Sequence, residues 1–381
     1  MLAAAWHITQ RAGNPWDFQT FYYAATAAAR GLDPYRLDAL SAAAGREVTL
    51  PFLYPPATLA LFVPFTLLPI KTAAWVWLGI KLGLVAVLVA VWRRVFLREV
   101  SILALIAAGF FGFNAAILLD LTTGNVSVLE QLLLWLAFSH YVQDRRWPFA
   151  LLVVIASVFK LFPIFFLGLV LVPSQRHRPS PRLALTGLAL FGAIALLPSA
   201  LGVGWARDFL SNLPGQPPYG EGSPSALGIF QMWLDSGRPS AGGAGSLPLV
   251  LWGIYGASLM VLSRQLFRRA WTMRDPLQWV VIGTLLFALL SPRMMLYSYV
   301  LLIAPALLLV HRLIPRGRLQ VVALVLLVVQ GAARCLLPRV YLPAVANLPF
   351  FAGLIVVNMP FLLALGLWLG FMRAGGRILS R

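Results

Sequence analysis

Residues 73–92 read AAWVWLGIKLGLVAVLVAVW, a stretch in which Lys81 is the single charged side chain. A helix needs about 20 apolar residues to cross a hydrocarbon core of about 30 Å, so this stretch predicts a membrane-spanning helix. Comparable runs recur along the chain at 100–119, 126–143, 183–202, 247–267, 277–291, 295–311, 319–336 and 350–372. The sequence therefore predicts an all-α polytopic membrane protein with about nine to twelve membrane helices, including short and re-entrant ones.

The composition supports this class. Hydrophobic residues make up 60% of the chain and charged residues 11%, and the mean hydropathy of +0.83 is far above that of a soluble domain. The net charge of +18 does not indicate nucleic-acid binding, because the basic residues are divided among short loops. The single cysteine, Cys335, and the scattered histidines offer neither a disulfide framework nor metal-ligand spacing.

The basic clusters predict the topology, because Arg and Lys favour the cytoplasmic side of short loops. They lie at 93–98, 145–146, 176–182, 264–274, 312–318 and 373–381. Placing them inside puts 1–51, 120–125, 203–246, 291–293 and 337–348 outside. Most of the acidic residues then fall on the outer face, so we expect the functional site there.

We interpret residues 1–381 as a single membrane domain with two outer segments. Residues 1–51 are predicted to be an outer-face catalytic loop, and 203–246 a flexible outer-face loop that resembles a lid. A membrane helix should precede an outer 1–51 segment, and Met1–Trp6 is too short to supply it. We therefore expect a first membrane helix upstream of this sequence.

Two apolar segments do not fit a simple span. Residues 54–69 are too short and are predicted to be interfacial or re-entrant. Residues 147–172 have basic clusters at both ends and a Lys160-Leu161-Phe162-Pro163 break in the middle. The segment is either a hairpin of two short helices with Lys160 at its tip, or one long span that inverts the topology downstream.

Asp17 is the principal catalytic candidate. It lies in Trp16-Asp17-Phe18-Gln19-Thr20-Phe21-Tyr22-Tyr23, a stretch that continues to a helix-ending Gly31 and a turn at Pro34. A carboxylate among aromatic side chains at a membrane interface suits stacking on a sugar ring and activation of a hydroxyl group. An exposed loop carboxylate is the simpler alternative.

Charged groups at membrane depth usually face a cavity or a partner. Lys160 suits a phosphate ligand, and the alternative is a structural ion pair with Glu130 or Asp120. Glu130 is predicted to have a structural hydrogen-bonding role. Lys81 is explained by a local contact or by extension of its amine toward the interface.

These residues resemble a known family, the polyprenyl-phosphate-sugar-dependent glycosyltransferases of family 87, which includes α-1,2-mannosyltransferases. The resemblance covers most of the chain. It rests on Asp17-Phe18 with Tyr22 to Ala25, Gly31 to Tyr35, Tyr54-Pro55-Pro56 with Pro64 to Pro69, Thr123-Gly124-Asn125, Lys160 with Pro163, Ser223-Pro224-Ser225 with Gly228, and Ser291-Pro292.

The resemblance implies a GT-C-type helical membrane fold, an active site at the outer face, a lipid-phosphate-linked sugar donor, and no metal or other cofactor. For such a donor the enzyme must position the sugar, neutralise the phosphate and remove a proton from the acceptor hydroxyl. We expect Asp17 to be the general base of an inverting transfer. Lys160 and Arg293 are the candidates for binding the donor phosphate. The sugar or acceptor would contact Tyr22, Tyr23, Tyr54, Asn125 and Tyr297.

One departure from the family pattern concerns the residues after Ser291-Pro292. Many members carry a Trp and a His shortly after this dipeptide, whereas this chain reads Arg293-Met294-Met295-Leu296-Tyr297. A role of that histidine therefore does not carry over. Arg293 substitutes for it, or the donor sugar is different.

The predicted function is transfer of a hexosyl group, expected to be mannosyl, to a glycolipid or glycan hydroxyl on the outer face of a bacterial cytoplasmic membrane. The predicted partners are the polyprenyl-phosphate-sugar donor, the acceptor and membrane lipids, with no nucleic acid. A lipid or lipid-linked-sugar transporter should show an internal repeat with paired broken helices, which the sequence lacks. An O-antigen-ligase-like transferase would use a pyrophosphate donor and should carry more outer-face arginines. A scaffolding protein would tolerate loss of Asp17.

Overall fold

The protein is helical throughout its described part. The structure, a computed structural model, describes residues 15–174, 178–200, 204–212, 223–236, 246–315 and 317–374, and every regular element in these ranges is a helix. This confirms the predicted all-α class. The helices are α1 (Trp16–Ala29), α2 (Leu37–Ala44), α3 (Leu59–Phe62), α4 (Ile70–Val91), α5 (Ile102–Thr123), α6 (Ser127–Val142), α7 (Arg146–Phe159), α8 (Pro181–Ala200), α9 (Trp205–Asn212), α10 (Ala226–Ser236), α11 (Leu247–Leu262), α12 (Arg264–Met273), α13 (Pro276–Leu290), α14 (Ile303–Leu313), α15 (Arg318–Leu336), α16 (Pro338–Ala346), α17 (Phe350–Val357) and α18 (Met359–Arg373).

Several of these helices are long and apolar enough to cross a membrane. Four single segments meet that requirement: Ile70–Phe96, Ile102–Thr123, Leu296–Leu313 and Arg318–Leu336. Two bent pairs meet it jointly, α11 with α12 at 43° and α17 with α18 at 67°. The remaining apolar helices are shorter. The chain is therefore a multi-pass membrane protein, and each apolar run predicted from the sequence coincides with a helix or a helix pair.

The contacts within the chain divide it into two compact units. The first unit comprises residues 1–88, 120–172 and 178–216, and the second comprises 89–119, 173–177 and 217–381. A single transferase domain over the whole chain stays a prediction.

In the first unit, α1 and α2 lie where the sequence predicted a catalytic loop over 1–51. The helix before Gly31 was expected, and Gly31 itself has a φ of 73°, which suits the end of a helix. Phe18 and Phe21 of α1 are fully buried. The ring of Phe21 stacks on that of Phe62 with 4.5 Å between centroids, and Phe18 packs against Trp77. Aromatic packing therefore holds α1 against α3 and α4. Residues 1–14 lie outside the described residues.

Residues 56–67 form a short, broken element. Two 3-10 segments, Pro56–Thr58 and Val63–Leu67, flank α3. The rise per residue gives this element a length of about 18–24 Å, too short to cross a core of about 30 Å. The Thr58 hydroxyl donates a hydrogen bond to the Val158 carbonyl on α7 at 3.0 Å. With its length of about 18–24 Å the element is shorter than a span, as the sequence predicts.

Residues 146–172 form a hairpin. Helix α7 ends at Phe159, Lys160 has extended backbone, and a 3-10 helix runs from Phe162 to Leu171. The Arg146 guanidinium at the start of α7 donates to the Val170 carbonyl at 3.1 Å and to the Val172 carbonyl at 3.1 Å. The two ends of the segment therefore meet, which selects the hairpin over the single long span. Lys160 lies at its tip.

In the second unit, the serine-proline motifs fold together. The Ser225 hydroxyl donates to the Pro292 carbonyl at 2.9 Å, and the Tyr299 hydroxyl donates to the Pro224 carbonyl at 2.7 Å. Ser225 also accepts from the backbone N–H of Gly228 at the start of α10, in the manner of an N-cap. The predicted flexible loop over 203–246 is helical at α9 and α10, which are too short to appear as apolar runs in the sequence. Residues 213–222 and 237–245 lie outside the described residues.

Helix α5 is interrupted where α15 approaches it. Phe113, Asn114 and Ala115 have φ values of 49°, 61° and 59°. Next to this interruption is Gly331 of α15, where an added Cβ would lie 2.1 Å from the Phe111 carbonyl oxygen and 2.6 Å from the Ala115 nitrogen. Glycine at 331 is therefore required by the close approach of two backbones.

Replacement of Arg146 tests the hairpin. Arg146→Met keeps the aliphatic stem and removes the bonds to three carbonyls, those of Val170, Val172 and Arg178. We expect a loss of about 2–4 kcal/mol in the free energy of unfolding, measured as a lower melting temperature in detergent micelles. Arg145→Met, at the exposed neighbouring position, should change stability by no more than about 0.5 kcal/mol. Equal melting temperatures for the two variants would contradict the hairpin.

Replacement of Gly331 tests the approach of α15 to α5. Gly331→Ala should lower the free energy of unfolding by about 1–3 kcal/mol. The added methyl group would clash with backbone atoms of α5, which cannot move aside as a flexible side chain can. Gly366→Ala in α18 is the matched control, because an added Cβ there meets nothing within 4 Å. Alanine also has the higher helix propensity, so the control should melt at the same temperature as the parent or higher. A Gly331→Ala variant as stable as the control would show that the two backbones do not meet as described.

Candidate active site

Asp17 lies in the first turn of α1, directly after Trp16. A carboxylate is favoured there because the first turn of a helix presents unpaired N–H groups and the positive end of the helix dipole. Phe18, the next residue, is fully buried, while the Asp17 side chain itself is half-buried. The packing of α1 therefore fixes the position of the carboxylate and leaves it partly accessible.

Asn125 connects Asp17 to Tyr54. Its side-chain Nδ2 donates to Asp17 Oδ2 at 3.0 Å and to the Tyr54 hydroxyl oxygen at 2.6 Å. Three residues distant in sequence are thus joined by one amide group. All three were predicted site residues, with Asp17 as base and Tyr54 and Asn125 as sugar or acceptor contacts.

The turn before Asn125 packs directly on the start of α1. Gly124 has a φ of 75°, and a Cβ at this position would lie 2.6 Å from the Cβ of Phe18 and 3.1 Å from the Cβ of Pro15. The Trp77 indole N–H donates to the Gly124 carbonyl at 2.8 Å. Glycine is needed both for the left-handed backbone and for the close approach. This contact brings Asn125 next to the start of α1.

Lys81 and Asp120 form a buried ion pair beneath this turn. Their Nζ and Oδ2 atoms are 2.7 Å apart, and the two side chains are 1% and 0% exposed. Lys81 also donates to the Asp120 main-chain carbonyl. Lys81 therefore does not extend its amine to the interface, which was one of the two explanations the sequence offered. It holds the end of α5 instead.

Lys160 forms the ion pair that the sequence analysis weighed against phosphate binding. Its Nζ lies 3.2 Å from Glu130 Oε2, with side-chain exposures of 17% and 4%. Its ammonium also donates to the Ser127 hydroxyl. Glu130, for which a structural hydrogen-bonding role was predicted, is the ion-pair partner of Lys160. Lys160 comes within two hydrogen bonds of Asn125.

Asp17 differs from the other carboxylates of this cluster in the kind of partner it has. Asp120 and Glu130 each face a lysine, whereas Asp17 accepts a hydrogen bond from the neutral side chain of Asn125. Burial raises the pKa of Asp17 to about 6, a rise also favoured by the charge of Asp120 and opposed by the side chains of Asn125 and Thr123 and by Lys81. A carboxylate with this pKa is ionised at neutral pH and can accept a proton from a hydroxyl group.

The other predicted tyrosines of α1 contact different groups. The Tyr22 hydroxyl donates to the Leu68 carbonyl at 2.8 Å. The ring of Tyr23 lies under the Arg46 guanidinium at 5.9 Å. The structure therefore joins Asp17, Tyr54, Asn125 and Lys160 through hydrogen bonds, and places Tyr22 and Tyr23 on the same helix as Asp17 without such a link.

Arg293 and Tyr297 belong to the second unit. The main-chain carbonyl of Arg293 accepts a hydrogen bond from the Ser291 hydroxyl at 3.1 Å, and the side chain is half-buried. Tyr297 is 8% exposed. Their predicted roles in binding phosphate and sugar stay predictions. Within the described residues, no group of three or more His, Cys, Asp or Glu side chains could hold a metal ion.

The residue that the sequence analysis missed is Ser127. Its backbone N–H and its hydroxyl both donate to Asn125 Oδ1, at 3.1 Å and 2.9 Å. An asparagine two residues before a serine is a turn signal, since the Asn side chain accepts from the backbone two residues on. That signal was available in the sequence.

Comparison with known proteins agrees with the sequence analysis. The family model of glycosyltransferase family 87 matches residues 52–292, which is more than half of the chain. The match includes Tyr54, Asn125 and Lys160 and leaves out Asp17 and Arg293. No curated protein and no solved structure matches the chain. The matched region carries the hydrogen-bonded turn on which Asp17 depends, and the chain belongs to glycosyltransferase family 87.

Proposed function

We propose that this membrane glycosyltransferase moves a hexosyl group, specifically mannosyl, from a polyprenyl-phosphate donor to a hydroxyl of a lipid-linked or glycan acceptor. The reaction takes place at the outer face of a bacterial cytoplasmic membrane. The observation that carries the proposal is the environment of Asp17, a half-buried carboxylate with neutral hydrogen-bond partners and a pKa of about 6.

The proposed chemistry is a single displacement. The acceptor oxygen forms a bond to the anomeric carbon while the bond from that carbon to the phosphate oxygen breaks, and the polyprenyl phosphate leaves with the electron pair. The proton of the acceptor hydroxyl passes to Asp17. One carboxylate base on the face opposite the leaving group suffices for this reaction, which therefore inverts the anomeric configuration.

Asn125 supports this role by its two hydrogen bonds. Its amide fixes the orientation of the Asp17 carboxylate and places the Tyr54 hydroxyl next to it. A base must lie within hydrogen-bond reach of the proton it removes, so a fixed carboxylate favours catalysis. The acceptor sugar would lie against Tyr54, with Tyr22, Tyr23 and Tyr297 as further predicted contacts.

The donor phosphate would be bound by cations. Arg293 is proposed as a planar, bidentate ligand of the phosphate. Lys160 stays a predicted phosphate ligand as well. Its ammonium would then interact with both the phosphate and Glu130. Cations near the leaving phosphate would stabilise the charge that develops on it in the transition state.

Replacement of Asp17 is the direct test of the proposed base. Asp17→Asn keeps the shape of the side chain and removes its basicity, so we expect kcat to fall by about 100-fold or more. The assay is mannosyl transfer by purified protein from polyprenyl-phosphate-mannose to a panel of glycolipid acceptors without added metal. Asp38→Asn, an exposed carboxylate paired with Arg36, is the control and should retain activity. Equal transfer by the Asp17 variant and the parent would remove Asp17 from the mechanism.

The pH dependence of transfer should report the same group. Because the pKa of Asp17 is raised to about 6, the base is ionised above that pH and protonated below it. The value of kcat/KM should therefore fall tenfold per pH unit below about pH 6. A phosphate diester donor stays ionised over this range and does not produce such a limb. Activity that stays constant down to pH 4 would show that an ordinary, exposed carboxylate is the base, or none at all.

A further inference from the structure

A chain of hydrogen bonds runs from Lys160 to Asp17. The Lys160 ammonium donates to the Ser127 hydroxyl oxygen. The Ser127 hydroxyl donates to Asn125 Oδ1 at 2.9 Å, and Asn125 Nδ2 donates to Asp17 Oδ2 at 3.0 Å. Ser127 and Asn125 each accept from the preceding group and donate to the next.

The direction of this chain is fixed by the backbone. The Ser127 N–H can only donate, and its partner at 3.1 Å is Asn125 Oδ1. The oxygen of the Asn125 amide must therefore face Ser127, and the NH₂ group must face Asp17 and Tyr54. The Ser127 hydroxyl can then act only as a donor toward Asn125, which leaves its oxygen to accept from Lys160.

The two ends of the chain carry opposite charge. Hydrogen bonds that point the same way polarise one another, and the effect is larger where water is excluded. Ser127 and Asn125 are fully buried. A cation at one end therefore strengthens the bond that Asn125 donates to the carboxylate at the other end.

The ion pair with Glu130 explains only part of this arrangement. It gives Lys160 a counterion at 3.2 Å, and such a pair does not require a hydroxyl group between the lysine and Asn125. Ser127 provides that connection, in a position where alanine would satisfy the helix equally well.

We propose that Lys160 is a positioning residue for Asp17, acting through Ser127 and Asn125 to hold the ionised carboxylate in place. This inference rests on the proposed role of Asp17 as the base. The other charged groups that act on Asp17 are Lys81 and Asp120, and Tyr54 faces it across Asn125. Ser127→Ala keeps the backbone N–H that orients Asn125 and removes only the hydroxyl that connects Asn125 to Lys160. This replacement therefore separates the effect of the hydrogen-bond chain from that of these groups.

The test measures the protonation of Asp17 without turnover. The carboxyl C=O absorption of purified protein is followed by infrared spectroscopy against pH, and the Asp17 band is identified by its absence in Asp17→Asn. In Ser127→Ala the midpoint of the Asp17 titration should move about 0.5–1 pH unit higher. The reason is that the hydrogen bond from Asn125 to the ionised carboxylate is no longer strengthened by the Lys160 charge. The acid limb of kcat/KM should move by the same amount.

Ser157→Ala is the matched control. Ser157 is also a fully buried helical serine, and its hydroxyl donates to the Val153 carbonyl at 2.7 Å. This bond is not part of the hydrogen-bond chain from Lys160 to Asp17. Its midpoint should equal that of the parent. Ser127→Cys keeps the volume of the site with a weak donor, and it serves as the test variant should Ser127→Ala not fold. Ser127→Thr restores the hydroxyl and should restore the midpoint.

A second comparison distinguishes the chain from a field acting through space. The double variant Lys160→Met with Glu130→Gln removes both charges together. With Ser127 intact, this variant should raise the midpoint of the Asp17 titration. In a Ser127→Ala background it should add little, because the connection is already broken. A full, additive effect there would overturn the proposal, as would a Ser127→Ala midpoint equal to that of the parent.

Failure of the proposed function gives a different result. Suppose that Ser127→Ala shifts the midpoint of the Asp17 titration while Asp17→Asn still transfers sugar. The hydrogen-bond chain then exists, and Asp17 is not the base. If Asp17→Asn is inactive and the Ser127→Ala band does not move, the base assignment stands and the role proposed for Lys160 is wrong.

Discussion

The contact between Gly124 and the start of α1 is the constraint on which the candidate site depends. With a φ of 75° and only 2.6 Å between an added Cβ and that of Phe18, this position accepts glycine alone. The Trp77 indole fixes the carbonyl of the same residue. Because Asn125 follows directly and Asp17 precedes Phe18, the distance between the amide and the carboxylate is set by this backbone contact. A larger residue at 124 would push the start of α1 away from this turn. The distance between the Asn125 amide and the Asp17 carboxylate would then increase.

Burial of charge is the second constraint, and it distinguishes the carboxylates from one another. Removing a charge from water costs several kcal/mol unless a partner and further hydrogen bonds compensate it. Lys81 compensates Asp120 and Lys160 compensates Glu130. Asp17 has the neutral amide of Asn125 as its partner instead, so its charge is only partly compensated and its affinity for a proton rises. The same cost of burying a charge that favours the two ion pairs therefore supports the proposed role of the third carboxylate as the base.

Much of the architecture could be predicted from the sequence, and the reason is specific to membranes. Apolar length determines a span almost by itself, which is why the run at 73–92 predicted α4. Helices α1, α2, α9 and α10 carry no such run, because they are stabilised by side-chain packing and not by lipid. The choice between a hairpin and one span at 147–172 was left open because the segment is also long enough to be a single span, although only the hairpin keeps both basic flanks on the inner side. Arg146 decides it through bonds to Val170 and Val172, and those contacts have no sequence signature.

The site shows the same division. Asp17 and Asn125 were identified by residue type and local pattern, but their pairing spans 108 positions, and no local pattern predicts such a contact. Lys160 was predicted either to bind a phosphate or to pair with Glu130 or Asp120, and in the structure it pairs with Glu130 and donates to Ser127. The family match begins at Phe52, so it includes the amide and excludes the carboxylate. The assignment of Asp17 therefore rests on geometry: Asn125, inside the matched region, has its oxygen committed to Ser127 and its nitrogen committed to Asp17 and Tyr54. An amide held in this way presents both of its N–H groups to one side, where α1 supplies the Asp17 carboxylate and Tyr54 supplies its hydroxyl oxygen as acceptors. The orientation of Asn125, fixed inside the matched region, therefore determines how the Asp17 carboxylate is held.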